Sequence, residues 1–168
     1  MHLYKKIAAC VLLLLAAAST LAAAPAAGDM APDDVGVTRE GKAVRLSDYR
    51  GKAVVLSFWA TWCPYCLKEL PILHNIQNKV GKDKIQVIAV NTETRDVFRK
   101  VSKALAGLEI GMLNDEDGDT QKQFGVSGIP HMVIIGRNGR IVAVHRGYDE
   151  SLLGDIAANI NLALATTP

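Results

Sequence analysis

Ser57-Phe58-Trp59-Ala60-Thr61-Trp62-Cys63-Pro64-Tyr65-Cys66 is the stretch from which the rest of the chain is read. The apolar run Ala53 to Phe58 leads into a Cys-x-x-Cys pair, and a helical pattern from Leu67 to Val80 follows at once. Strand, two cysteines and helix in that order make the pair a candidate redox dithiol. Pro64 suits the first helical position, because its fixed φ fits a helix and its missing N–H would be unpaired there anyway. That places Cys63 at the N-cap and Cys66 third in the helix. An N-cap side chain faces the free N–H groups of the first turn, at the positive end of the helix dipole. Both favour thiolate over thiol, so the Cys63 pKa is expected below the free value of about 8.5. Cys66, one turn into the helix, is near enough to close a small ring with Cys63. The pair is expected to cycle between dithiol and disulfide with little backbone movement.

At 168 residues the chain holds one domain with a core of its own. The net charge of +2 comes from Lys5 and Lys6; from Asp29 onward positive and negative side chains balance. No basic block is present, so no nucleic-acid partner is expected. The cysteines are Cys10, Cys63 and Cys66, and Cys10 lies in the N-terminal apolar run. A disulfide-stapled scaffold is excluded, since such folds need several bridges. The competing use of the pair is half of a structural zinc site. Zinc takes about four ligands, no second cysteine pair exists, and His74, His131 and His145 are scattered. No metal and no cofactor beyond the dithiol itself is expected.

Residues 1–26 read as an export segment: Lys5 and Lys6 form a charged start, Ile7 to Ala18 is apolar, and Ala-x-Ala matches follow at Ala22–Ala24 and Ala24–Ala26. The uncharged run Ile7 to Ala27 is also long enough to span a bilayer core of about 30 Å, so a cleaved signal and an uncut membrane anchor both stand. An exported location, the bacterial periplasm or the outer face of the cytoplasmic membrane, is expected. Residues 27–34 read as a linker and 35–168 as the domain. Val37 to Arg39 and Lys42 to Leu46 flank Glu40-Gly41 as a small hairpin. The helix after Cys66 carries Leu67, Leu70, Leu73 and Ile76 on one side, with a kink expected at Pro71. Ile85 to Val90 is a buried strand. Thr94 to Leu108 is helical with Val97, Val101, Ala104, Leu105 and Leu108 inward, Ile110 to Leu113 is extended, and Thr120 to Phe124 is a short helix. Met132 to Ile135 and Arg140 to Val144 flank Asn138-Gly139, a type I′ hairpin signal. Asp149 to Leu164 is the last helix, with Leu152, Leu153, Ile156, Ile160 and Ala163 on one stripe. This order implies an α/β fold: a mixed central sheet flanked by helices, with an extra N-terminal β-hairpin.

Phe58-Trp59-Ala60-Thr61-Trp62-Cys63-x-x-Cys66 followed by Glu69-Leu70-Pro71 resembles the thioredoxin superfamily, and within it the exported TlpA/ResA-like thiol-disulfide oxidoreductases. Leu46-Ser47-Asp48-Tyr49-Arg50-Gly51-Lys52, the Asp115–Gly118 turn before Phe124-Gly125-Val126, and Gly128-Ile129-Pro130 fit the same branch. The resemblance implies a thioredoxin-like fold, a cis Pro130 facing the cysteine pair, and an Ile129 backbone free to pair with a substrate segment. It also implies that Glu69 accepts the proton of Cys66; a solvated carboxylate beside Lys68 is the other reading. Ser57 stands where thioredoxins proper carry a buried Asp, and Pro64-Tyr65 replaces their Gly-Pro. His131 follows Pro130 where Thr is common, and reads otherwise as a loop histidine.

The implied activity is protein-disulfide reduction: Cys63 attacks, Cys66 resolves, and Trp62, Pro64, Tyr65, Ile129 and Pro130 contact the substrate. The expected partners are proteins with disulfides, apocytochrome c among them in a role in cytochrome c maturation, and a membrane electron donor. A monomer is expected. The alternatives are a thiol oxidant or isomerase, and a copper-binding protein using both cysteines and a histidine. A peroxiredoxin is excluded, because Leu56 and Ala60 hold the places of the Pro and Thr that its Pro-x-x-x-Thr-x-x-Cys motif needs.

Overall fold

A computed structural model describes residues 23–168. The export or anchor segment expected over residues 1–26 thus lies outside the described residues except at its end. Among the described residues, no helix is long and apolar enough to cross a membrane.

Seven strands form one sheet, ordered β2-β1-β5-β4-β3-β6-β7. They are β1 (Asp34–Val37), β2 (Ala43–Arg45), β3 (Ala53–Trp59), β4 (Ile85–Asn91), β5 (Gly111–Asn114), β6 (His131–Ile135) and β7 (Ile141–Arg146). The helices are α1 (Pro64–Val80), α2 (Arg95–Ala104), α3 (Asp119–Phe124) and α4 (Leu153–Ala165), with short 3-10 turns at Leu46–Tyr49 and Glu150–Leu152. Strands β3, β4 and β5 are parallel, and β6, β7, β1 and β2 add antiparallel pairs on either side. The chain builds outward from β3 to β5, then returns to place β6 on the other side of β3. Beside β3 the order therefore reverses, and the carboxyl end of a strand at such a reversal is where open α/β sheets place their sites.

Every residue of β3 is buried, which matches its unbroken apolar run and requires cover on both faces. On one face Val55, Val87, Met132 and Ile134 meet Leu70 and Leu73 of α1 and Ile156, Ile160 and Ala163 of α4, with Val101 of α2 and Leu105 just after it beside them. On the other, Leu56, Phe58, Val90, Val133 and Ile135 meet Phe124 of α3, Leu46 and Ala31. Burying a leucine such as Leu73 contributes about 1.5–3 kcal/mol. Its loss to alanine costs about 2–5 kcal/mol, the extra being the cavity left behind.

Several expectations are corrected. The buried stripe of α1 is Cys66, Glu69, Leu70, Leu73 and Gln77, while Leu67 is exposed. Gln77 is inward because its Oε1 accepts from the Val87 amide at 2.7 Å and its Nε2 donates to the Glu109 carbonyl at 2.6 Å. Pro71 lies inside α1, on its exposed side. In α2 the fully buried residue is Phe98, and Ala104 is exposed. The β6–β7 turn is not type I′, which needs positive φ at both central residues. Only Gly139 has it (φ +81°), and the Gly139 N–H donates to the Gly136 carbonyl. That is a three-residue loop closed by a glycine bulge. The stretch read as a linker is laid against the end of β7: Gly28 N–H donates to Ile141, Ala31 N–H donates to Gly139, and Asp34 already opens β1. Gly36 has φ +103°, and a Cβ there would stand 2.8 Å from the Asn114 carbonyl oxygen, so β1 approaches β5 this closely only with glycine.

Candidate active site

The carboxyl end of β3 delivers Trp59 and the loop Ala60-Thr61-Trp62 to the start of α1. Cys63 is the N-cap of α1, Pro64 opens the helix, and the Cys66 amide donates to Cys63 Sγ at 3.2 Å. This is the arrangement expected from the spacing, and the two sulfurs are joined in a disulfide. Both cysteines are more than nine-tenths buried. Exposure does not distinguish the two cysteines; what differs is that Cys63 occupies the N-cap.

Around the disulfide the surface is aromatic. Trp62 is 70% exposed, and Tyr65 is exposed and stacked on Tyr148 with ring centroids 6.1 Å apart. Lys68 Nζ lies 5.8 Å from the Tyr65 ring centre, a cation–π contact. Pro64 is exposed beside them. The Ile129–Pro130 peptide is cis. The Pro130 carbonyl accepts from Gly147 at 2.8 Å, whereas the Ile129 backbone makes no hydrogen bond among the described residues.

Beneath the cysteines lies Glu69, 4% exposed, on the buried stripe it shares with Cys66. Ser57 Oγ donates to its Oε1 at 2.6 Å. Burial pushes the Glu69 carboxyl up to about 7, against the opposing pull of the Ser57 hydrogen bond. The solvated reading of Glu69 is therefore wrong. Sequence reasoning treated Ser57 only as a missing Asp; the structure makes it the partner of the helix carboxyl.

His131 is not a loop histidine. It opens β6, is fully buried, and neither ring nitrogen has a partner among the described residues. Burial, with Arg146 nearby, lowers it to about 4. It pairs across the sheet with Phe58 and packs edge-on against that ring at 5.9 Å. Phe58 belongs to the apolar cluster on the sheet face opposite the cysteines, so His131 is not brought to the sulfurs. No group of three or more His, Cys, Asp or Glu among the described residues is placed to hold a metal ion.

The Redoxin family model matches residues 26–159. This chain belongs to the Redoxin family. Among similar redoxin-fold proteins, the thiol-disulfide oxidoreductase ResA of Bacillus subtilis is 32% identical over 130 residues, which cover 76% of this chain and 72% of that one. A Chlorobium tepidum protein assigned as the thiol:disulfide interchange protein DsbE superposes with a TM-score of 0.74 at 32% identity, over 84% of this chain and 100% of the other. The exposed lipoprotein thioredoxin Etrx1 of Streptococcus pneumoniae superposes with a TM-score of 0.66 at 30% identity, over 78% of this chain and 99% of the other. The fold is thus thioredoxin-like, the redoxin is a ResA-like member of the thioredoxin superfamily, and its activity is thiol-disulfide oxidoreduction.

Proposed function

We propose that the chain is an extracytoplasmic protein-disulfide reductase in which Cys63 attacks, Cys66 resolves and Glu69 handles the proton. The observation that carries this reading is the buried Glu69 on the Cys66 face of α1, with a pKa pushed up to about 7. A base works best when its pKa lies near the operating pH.

The Cys63 thiolate attacks one sulfur of the partner's disulfide. A Cys63–partner bond forms, the partner's S–S bond breaks, and the other partner sulfur leaves as thiolate. Cys66 gives its proton to Glu69, and its thiolate attacks Cys63 Sγ. The Cys63–Cys66 disulfide forms and the second partner sulfur departs. Two electrons have passed from the dithiol to the partner. A dithiol donor of membrane origin then restores Cys63 and Cys66 by the same exchange in reverse. Trp62, Pro64, Tyr65, the Ile129 backbone and Pro130 form the substrate surface. The charged and apolar pattern of residues 1–26 supports export, as signal or anchor. One fitting substrate is apocytochrome c, whose thiols must be reduced before haem attachment.

The test is trapping in the exported compartment. Cys66→Ala is expected to accumulate mixed disulfides through Cys63, with mass spectrometry naming the partners. Trapping by Cys63→Ala alone overturns the assignment of nucleophile. A reduction potential near about −270 mV fits a reductant, and one near about −120 mV would make the protein an oxidant instead.

A further inference from the structure

Thr61 lies two residues before Cys63, in the loop that carries Trp62. Both of its polar groups run to one carboxylate. Its N–H donates to Glu93 Oε2 at 2.6 Å and its hydroxyl to Glu93 Oε1 at 2.8 Å. Glu93 is itself held on three sides. Asn91 Nδ2 donates to Oε2 at 3.1 Å, the Glu93 N–H donates to Asn91 Oδ1 at 3.1 Å, and the Glu93 carbonyl accepts from Asn114 Nδ2 at 2.8 Å. Asn91 and Asn114 are buried and face each other in register at the carboxyl ends of β4 and β5. The Thr92 N–H adds a bond to the Trp59 carbonyl at 3.0 Å. The loop is therefore hung from two neighbouring strands as well as from its own. Hydrogen bonds to a charged acceptor are the strong kind, and a two-point grip also fixes orientation.

We infer that Glu93 is a positioning residue for thiol–disulfide exchange: by holding Thr61 through both carboxylate oxygens, it keeps Cys63 at the N-cap of α1 and Trp62 fixed beside it. This rests on the reading of Cys63 as nucleophile. The grip matters most in the dithiol, the form that attacks. In the oxidised form the S–S bond itself restrains Cys63. Once that bond opens, Cys63 keeps two backbone ties, its N–H to the Ala60 carbonyl at 3.2 Å and its carbonyl to the Leu67 N–H at 3.1 Å, and the Glu93 grip is the side-chain hold on the loop just before it. A nucleophile displaced by an ångström loses rate steeply, up to about 10²-fold.

The test compares Glu93→Ala, Glu93→Gln and Thr61→Val in the full chain, each confirmed folded and assayed well below its own melting temperature. Cys63 is followed by its alkylation rate against pH in the reduced protein, and exchange by the rate of reduction of a model protein disulfide. Glu93→Ala is expected to slow exchange about tenfold or more and to move the alkylation profile to higher pH. Glu93→Gln is expected to recover most of both, since its Oε1 accepts from the Thr61 amide and its Nε2 donates to the Thr61 hydroxyl. Thr61→Val, which keeps the amide arm, is expected to fall between. Unchanged profile and exchange rate in Glu93→Ala overturn the inference even if its melting temperature drops. If Glu93→Ala does not fold, unchanged values in Thr61→Val do the same. Failure of Glu93→Gln to recover overturns it too, because charge rather than position would then be at stake. Peptide mapping of the first alkylated residue in the wild type keeps the two readings apart. Labelling of Cys66 first sinks the nucleophile assignment, while labelling of Cys63 with no effect of Glu93→Ala sinks the Glu93 role alone.

Discussion

Two buried ionisable side chains, one on α1 and one on β6, meet adjacent residues of β3 from opposite faces of the sheet. Glu69 reaches the Ser57 hydroxyl on the face of α1, and His131 packs against Phe58 on the other. Burial moves both toward their neutral forms, Glu69 up to about 7 and His131 down to about 4. The consequences differ. Glu69 ends near neutral pH, hydrogen-bonded, on the buried stripe it shares with Cys66. His131 ends neutral over the physiological range, unpartnered among the described residues, with its back to the sulfurs. A shifted pKa alone does not mark a catalytic group; the shift must bring the group into range beside reacting atoms. By that measure the proposed proton-transfer role fits the glutamate and not the histidine.

Activity separates the two most sharply. Glu69→Gln is expected to slow resolution of the mixed disulfide about 10²–10⁴-fold and to remove an inflection near pH 7 from that step, read by stopped-flow. His131→Leu should leave the step within a few-fold on this reading; an equal loss in both variants would end the distinction. Stability comes next. The raised Glu69 pKa means that the folded state holds the proton more tightly than the unfolded chain. Stability is therefore full below about pH 4.5 and is lost as pH rises through 7, a difference on the order of 3 kcal/mol. Glu69→Gln should be the more stable protein above pH 7 and no better at pH 4.5 in urea melts.

His131 has the opposite sign. Its depressed pKa leaves stability intact above about 6.5, lost as pH falls through about 4, because the unfolded chain takes the proton first. His131→Leu should flatten that acid limb in thermal melts and add about 1–3 kcal/mol at pH 7, the cost of an unpaired buried polar group. A clear loss of stability at pH 7 would reveal a partner for the ring. The smallest effect belongs to Ser57→Ala, which removes the bond that holds Glu69 down. The pH 7 inflection should move higher, with about 1 kcal/mol of stability lost at alkaline pH; an inflection that stays put would detach Ser57 from the proton chemistry.

Much of this was legible in the chain. The N-cap place of Cys63 follows from Pro64 one step later, and the structure has it there. The fully buried β3 follows from the apolar run Ala53 to Phe58, and the turn glycine at 139 was marked by Asn138-Gly139. What misled was chemistry read one residue at a time. Leu67 is apolar yet exposed, while Glu69 and Gln77 are polar yet buried, because each finds a partner on a neighbouring strand or loop that α1 is folded against. The pattern Cys66-x-x-Glu69-Leu70-x-x-Leu73 does carry the signal, since spacings of three and four share one helix face. Polarity hid it.

Local order along the chain thus decided the strand, the cysteine pair, the helix that begins at it and the glycines of its turns, because propensity and capping act within a few residues. Which distant side chains meet was decided only by the assembled sheet. Ser57 under Glu69, Thr61 held by Glu93, and His131 turned away from the sulfurs all depend on strand register and on which face each helix covers. Pairings of that kind join residues far apart in sequence, and no short window of the chain contains both partners.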